Sequence, residues 1–295
     1  MKTACLFPGQ GSQFVGMAAN LIKENKSIAE RFKSADQILG YSLSDIMFNG
    51  PEDDLKQTKH TQPAIFLHSV ALFESLDIKP DMVAGHSLGE FSALFAAGVL
   101  SFESALELVS LRGSLMQKAG TDHPGTMAAV IGMDDEIVEQ VCKEASELTG
   151  KPVVAANYNC PGQLVISGDI TAVEKAVSLA QEKGCRMAKI LPVSGAFHSP
   201  LMQPAYDGLK AKLDTTEFKS PSCPVYSNFT AGATTDADTL RENVLEQLVN
   251  PVRWTQTMIA MKADGAGEFI EIGPGKVLQG LVKRTVSDAE IRGYQ

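Results

Sequence analysis

The sequence predicts an α/β fold, a core of apolar strands that feed glycine turns, with an inserted α+β unit along its length. Three observations predict it. Short apolar stretches at residues 3–7, 82–84 and 268–272 each run into a turn: Pro8-Gly9-Gln10-Gly11-Ser12-Gln13, Gly85-His86-Ser87-Leu88-Gly89 and Gly273-Pro274-Gly275-Lys276. The middle turn leads into a run from Glu90 whose apolar residues Phe91, Leu94 and Phe95 fall at helical spacing. Between residues 121 and 193 the pattern changes to β-α-β-β-α-β, the order of a split-βαβ, ferredoxin-like unit.

The elements follow in chain order. Residues 3–7 read as a buried strand that feeds a glycine loop. Gly9 and Gly11 have the spacing of a dinucleotide fingerprint, but Phe14 stands where its third glycine belongs. Lys79-Pro80-Asp81 breaks the chain before the strand at 82–84, and residues 102–118 form a helix. In the insertion, a strand at 126–133 runs into a helix opened by Asp134 and closed by Gly150, whose acidic first turn suits the helix dipole. Strands at 152–158 and 163–168 flank the turn Asn159-Cys160-Pro161-Gly162. A helix at 171–183 stops at Gly184, and 186–193 is the last strand. His123-Pro124-Gly125 and Pro192 bound the unit, which divides the chain into a core of 1–123 and 194–295 and an insertion of 124–193. The turn after 268–272 lacks both the leading glycine spacing and the Ser/Thr of a P-loop.

At 295 residues the chain can bury a large core, and 44% apolar with 21% charged residues is the composition of a soluble globular protein. A formal net charge of -9 argues against nucleic acid, whose binders carry a basic stripe, so an anionic ligand needs a locally positive pocket. The N-terminal stretch has one basic residue and too little apolar length for a secretory signal, and no later run spans a bilayer, so a cytoplasmic location without membrane contact is expected. Cys5, Cys142, Cys160, Cys185 and Cys223 are odd in number and widely spaced, which speaks against a disulfide framework or a structural zinc site. The five histidines show no paired ligand spacing, and no metal is called for.

The Gly85–Gly89 pattern between a strand and a helix is the context of a nucleophile elbow, with Ser87 at its apex; the alternative is an ordinary turn. A serine nucleophile needs a base, an oxyanion hole and a substrate handle. His86 adjoins Ser87, but neighbouring side chains in an elbow diverge. His198, in the loop Ser194-Gly195-Ala196-Phe197-His198-Ser199-Pro200, is the better base unless it is only a surface histidine. The Leu88 N–H offers one oxyanion donor, and the Gly9-Gln10-Gly11 loop offers the second through the Gln10 N–H. Arg112 has Leu108, Val109, Leu115 and Met116 three and four residues away, so it lies on the apolar stripe of its helix. Either a distant carboxylate pairs with it, or it awaits an anionic substrate, for which a carboxylate suits a guanidinium.

Further motifs extend these: Thr61-Gln62-Pro63-Ala64, Arg112-Gly113, Asn157-Tyr158-Asn159-Cys160-Pro161-Gly162-Gln163, Gly195-Ala196-Phe197-His198-Ser199, Asn250-Pro251-Val252-Arg253-Trp254 and Glu271-Ile272-Gly273-Pro274-Gly275-Lys276. With the Phe7–Gln13 loop and the elbow, over residues 4–285, the chain resembles the malonyl-CoA:acyl carrier protein transacylases of fatty acid synthesis and the related acyltransferase domains of polyketide synthases (PKS). The resemblance implies a hydrolase-like parallel-sheet core with an inserted ferredoxin-like subdomain. It also implies Ser87 as nucleophile, His198 as base, the N–H groups of Gln10 and Leu88 as oxyanion hole, and the Gln247 carbonyl as the group that orients the imidazole. Arg112 matches the residue that grips the malonyl carboxylate, Gln62 one that lines the same pocket, and Phe197 the position where an aromatic accompanies malonyl preference. Gly195 departs from the histidine of many polyketide relatives.

The implied reaction is ping-pong transfer from malonyl-CoA, as substrate, to acyl carrier protein, with no bound cofactor. A serine esterase or thioesterase, or a malonyltransferase serving a polyketide synthase, are the alternatives. An acidic carrier must dock on a local basic patch, for which Lys276, Lys283 and Arg284, with Lys189, are the candidates.

Overall fold

Alternate residues of the first strand enter different cores. In β1 (Lys2–Phe7), Cys5 and Phe7 join one apolar cluster while Ala4 and Leu6 join another. That is the pattern of a central strand buried on both faces. The structure, a computed structural model, describes residues 1–295, the side chain of Glu24 excepted.

After β1 come α1 (Ala19–Glu24), α2 (Lys26–Leu39), α3 (Leu43–Asn49), α4 (Glu52–Lys56) and α5 (Thr58–Ser75), then β2 (Met82–Gly85), α6 (Gly89–Ala96) and α7 (Phe102–Asp122). The middle of the chain forms β3 (Gly125–Ile131), α8 (Asp135–Thr149), β4 (Val153–Cys160), β5 (Gln163–Asp169), α9 (Ile170–Glu182) and β6 (Met187–Ile190). A 3-10 turn (Pro200–Met202) then precedes α10 (Gln203–Leu213), β7 (Val225–Tyr226), β8 (Ala233–Thr234), α11 (Ala237–Glu246), α12 (Trp254–Ala263), β9 (Ala266–Ile272), α13 (Val277–Thr285) and β10 (Glu290–Tyr294).

Two sheets result. The larger has the order β10-β9-β1-β2-β7-β8, parallel except for the short antiparallel edge strand β8. The smaller is antiparallel between neighbours, ordered β4-β5-β3-β6, so each β-α-β unit is split by one intervening strand. Helices α8 and α9 close one face of it over their own apolar cluster, which includes Val138, Val141, Leu164, Ile166, Val173 and Leu179. The smaller sheet is tied through β4 to the segment that leads into α12, where Asn157 bridges Val252 and the Tyr158 N–H donates to the Val252 carbonyl at 2.9 Å.

The β-α-β-β-α-β order expected between residues 121 and 193 is present element by element, with shifted ends. Its first strand stops at Ile131 rather than 133, because Gly132 takes a positive φ of 79° and turns the chain, its N–H donating to Gly162. β4 continues through Asn159 and Cys160, assigned above to the turn, by way of two register shifts that keep it paired with β5. The last strand ends at Ile190, three residues early, ahead of Pro192, which has no N–H to offer a ladder. α7 extends to Asp122, four residues past its expected end.

Register then sets the location of the chemistry. Phe7 of β1 pairs with Gly85 of β2, Ala84 with Tyr226 of β7, and Leu6 with Glu271 of β9. The loops that leave all four strands therefore emerge side by side at the carboxyl edge of the parallel sheet, where α/β folds place their sites.

Candidate active site

The turn between β2 and α6 is tight enough to exclude side chains at its glycines. A Cβ on Gly85 would lie 1.9 Å from the Gly89 carbonyl carbon, and one on Gly89 would lie 2.1 Å from the Phe7 carbonyl oxygen. Ser87 at the apex has φ of 52°, a left-handed conformation that costs a non-glycine residue energy and holds its hydroxyl clear of the sheet. The geometry is that of the expected elbow.

Ser87 Oγ lies 2.8 Å from His198 Nε2, and His198 Nδ1 lies 2.7 Å from the Gln247 carbonyl oxygen. A carbonyl can only accept, so Nδ1 carries the proton and Nε2 presents its lone pair to the serine hydroxyl. His198 is buried, and its pKa is pushed down to about 3, first by desolvation and then by the nearby Arg112 charge. The imidazole is held neutral and competent to take a proton. His86 points elsewhere: its Nε2 meets Asn159 Oδ1 at 2.9 Å and its ring lies 5.4 Å from that of Trp254.

Arg112 is 1% exposed, and no carboxylate reaches ion-pair distance of it among the described residues. Nη1 donates to Gln62 Oε1 at 2.8 Å, while Nη2 donates to Gln247 Oε1 at 2.9 Å and to Ser87 Oγ at 3.1 Å. Desolvation lowers its pKa from 12.5 to about 10, opposed by Glu90, so the guanidinium remains charged at neutral pH. An intact cation beside a serine, held by neutral amides, has the charge and the donor geometry to receive an anion.

The site opens into a cavity of about 280 Å³ lined by Gln10, Gln62, Ser87, Leu88, Phe197 and His198, among others. Gly9 brings the Gln10 loop onto the elbow, since a Cβ there would lie 2.4 Å from the His86 carbonyl oxygen. The N–H groups of Gln10 and Leu88 donate to no protein acceptor among the described residues, which leaves both for a ligand oxygen. All eight residues singled out in the sequence (Ser87, His198, Gln10, Leu88, Arg112, Gln62, Phe197 and Gln247) thus meet at one place. The cavity wall also includes Val277, Leu278 and Leu281 of α13. Lys276, Lys283 and Arg284 at the two ends of that helix are exposed, as is Lys189 on β6, and none is ion-paired among the described residues.

Comparison with known proteins gives the family. The acyl transferase domain family matches residues 5–294. The chain belongs to that family. Curated malonyl CoA-acyl carrier protein transacylases are similar to this acyltransferase along nearly its whole length. That of Haemophilus influenzae is 45% identical, covering 98% of the chain and 94% of the relative, and that of Bacillus subtilis is 46% identical, covering 96% and 90%. Among solved structures, an acyl carrier protein S-malonyltransferase from Vibrio cholerae superposes with a TM-score of 0.95 at 44% identity, covering 100% of this chain and 97% of the other. A type II PKS acyl-carrier protein in complex with its malonyl-transacylase has an enzyme chain that superposes with a TM-score of 0.95 at 41% identity, covering 100% and 96%.

Two residues of the acyltransferase site escape the sequence reading. Asn228, just beyond β7, accepts from the Ser87 N–H through Oδ1 at 2.6 Å and donates through Nδ2 to the Gly85 carbonyl at 2.7 Å, so one amide clamps the elbow from both sides. No local signal marks it. Glu90 is fully buried, and its Oε2 accepts from the Asn228 N–H at 3.1 Å and from Gln247 Nε2 at 2.6 Å. A signal for Glu90 existed: like Arg112, it is a charge within an apolar helical run.

Proposed function

We propose that this acyltransferase moves a malonyl group from malonyl-CoA to the phosphopantetheine thiol of an acyl carrier protein, in fatty acid synthesis, through a malonyl ester on Ser87. The observation that carries the proposal is the position of Arg112: a buried cation 3.1 Å from Ser87 Oγ with no carboxylate paired to it. A thioesterase for neutral acyl chains has no use for it. A substrate whose free carboxylate is one methylene away from its reacting carbonyl does.

In the first half-reaction the Ser87 hydroxyl proton passes to His198 Nε2 as Oγ bonds to the thioester carbon. The Gln247 carbonyl, which accepts from Nδ1–H, holds the ring in the required tautomer and stabilises the imidazolium. The Gln10 and Leu88 N–H groups bind the oxyanion, which then collapses with cleavage of the C–S bond, and His198 returns its proton to the departing thiolate. In the second half-reaction the carrier thiol gives its proton to His198 and attacks the malonyl-serine ester, the C–O bond to Ser87 cleaves, and His198 returns the proton to Ser87 Oγ. Gln62 aligns Arg112, and Phe197 limits the space beside the acyl group. Nucleophile, base, oxyanion donors and carboxylate receptor are all protein groups, so the chemistry needs no resident cofactor.

The sheet topology supports a division into a hydrolase-like core, 1–123 and 194–295, and a ferredoxin-like subdomain, 124–193, with the cavity between them lined from both. No described helix is long and apolar enough to cross a membrane. Five free cysteines, four of them buried, suit a reducing, cytoplasmic setting.

Intact-mass measurement after exposure to malonyl-CoA, acetyl-CoA or methylmalonyl-CoA tests the proposal. We expect one malonyl adduct on the wild type, a preference for malonyl-CoA, and no adduct on Ser87→Ala. Rapid release of malonate in the absence of carrier would make the protein a hydrolase, and an adduct on Ser87→Ala would move the nucleophile.

A further inference from the structure

The geometry points to Glu90 as a positioning residue for malonyl selection, which acts on Arg112 through the side-chain amide of Gln247. The inference rests on the malonyl-transfer reading above and adds to it a reason why Arg112 is aimed as it is.

Gln247 is fully buried and does two separate jobs with separate atoms. Its main-chain carbonyl accepts from His198, while its side-chain Oε1 accepts from Arg112 Nη2. Only the second depends on which way the amide is turned. An amide is nearly symmetric in shape but opposite in polarity at its two ends, so something must decide whether oxygen or NH₂ faces the guanidinium. A flipped amide would set NH₂ against the donors of Arg112. The decision is made on the far side, where Nε2 donates to Glu90 Oε2 at 2.6 Å and to the Ser87 carbonyl at 3.0 Å.

Glu90 itself cannot turn away. It leaves the first turn of α6, and its Oε2 also accepts from the Asn228 main-chain N–H at 3.1 Å, a donor fixed by the backbone. The Asn228 side chain holds the Ser87 N–H and the Gly85 carbonyl, so the acceptor of the relay is referenced to the elbow. Polarity therefore runs from the Asn228 backbone through Glu90 and Gln247 to Arg112, which also touches the nucleophile. Glu90 Oε1 has no hydrogen-bond partner among the described residues, so one oxygen of the carboxylate carries the whole connection. What the relay needs from position 90 is an acceptor at the Oε2 position, whether or not the group is charged.

That distinction gives the test. Glu90→Gln keeps an amide oxygen able to accept from Asn228 and Gln247, whereas Glu90→Met keeps the volume and replaces the oxygen with a thioether, a much weaker acceptor. Both variants lose the charge, so the difference between them isolates the accepted hydrogen bonds. The readout is the rate of single-turnover acylation of Ser87 by malonyl-CoA divided by that by acetyl-CoA, which has no carboxylate for Arg112. For Glu90→Met the ratio should fall by about tenfold to a hundredfold, the range for losing one hydrogen bond to a charged group. For Glu90→Gln it should stay close to that of the wild type. In a Gln247→Met background, Glu90→Met should add no further loss of the ratio, because the two residues act in series.

Equal ratios for Glu90→Met and the wild type, equal loss in the Gln and Met variants, or additive losses in the double variant would each overturn the role. If thermal melts show Glu90→Met unfolded, Gln247→Met alone carries the test, since it spares the carbonyl used by His198. It must lower the ratio while acetylation persists, and a retained ratio overturns the proposal. A wild type that acylates equally with both donors would instead overturn the malonyl-transfer reading itself.

Discussion

Arg112→Ala removes the group on which the functional assignment most depends, and its consequences can be worked from the contacts. In the free enzyme Arg112 spends its donors on Gln62, Gln247 and Ser87, all neutral, so a malonyl carboxylate gains a charge-assisted, bidentate partner in a buried setting. Truncating one partner of such a pair costs about 2 to 5 kcal/mol, which corresponds to about 30-fold to several thousandfold in malonyl transfer. Acetyl transfer should be unchanged or raised. The acetyl group has no carboxylate, and the variant frees both the Ser87 hydroxyl and some space. The assay is kcat/KM for the two donors with one carrier protein, with a thermal melt to show that the variant is folded. The melt is needed because the substitution leaves Oε1 of both Gln62 and Gln247 without their buried donor. The discriminating quantity is the ratio of the two donors. Equal loss for both would refute the reasoning, since it would show Arg112 supporting the site without reading the substrate.

Four further outcomes follow from the same geometry. His198→Ala should cost about 10²- to 10⁴-fold in rate, the worth of a general base, and His86→Ala much less, because His86 is engaged with Asn159 and Trp254 rather than with Ser87; a reversed order in folded variants would move the base. With its pKa pushed down to about 3 by burial and then by Arg112, His198 stays neutral in mild acid, so kcat/KM should show no acidic limb centred near the ordinary 6.5, and a limb there would contradict the burial. The sign for stability follows: the unfolded chain takes up this proton as pH falls through 6.5 while the native state waits until about 3, so the contribution is full above 6.5 and is lost on the way down, and melting temperature should fall less steeply over that window in His198→Ala. Finally, charge reversal at Lys283 and Arg284 should lower kcat/KM for carrier protein by about tenfold or more at low salt and flatten its salt dependence, while transfer to free pantetheine is unaffected; unaltered carrier kinetics would place docking elsewhere.

What the sequence made legible was whatever is decided within a few residues. Gly85 and Gly89 flank Ser87 in one turn, and their collisions with Gly89 and Phe7 are the constraint that the glycine pattern advertises. Arg112 could be read from its own helix because a guanidinium on an apolar stripe violates the local pattern. By contrast α5 is buried on nearly every side, so its apolar residues have no period to detect. Strands β7 and β8 are two residues long, below the length at which alternation means anything. The most consequential loss was at Glu90. In sequence it is a charge within an apolar helical run, but its place in the first turn lets the helix dipole explain it without a further role. Its actual partners arrive from Asn228 and Gln247, 138 and 157 residues downstream, and they meet it only because β2 and β7 are in register and α11 ends beside the elbow. Gln247 shows the same limit more sharply: the resemblance supplied its carbonyl, while the side chain that faces Arg112 had no sequence signature. Local rules thus exposed two of the groups that would touch substrate, Ser87 and Arg112. The groups that aim them depend on long-range register, which a single sequence does not display.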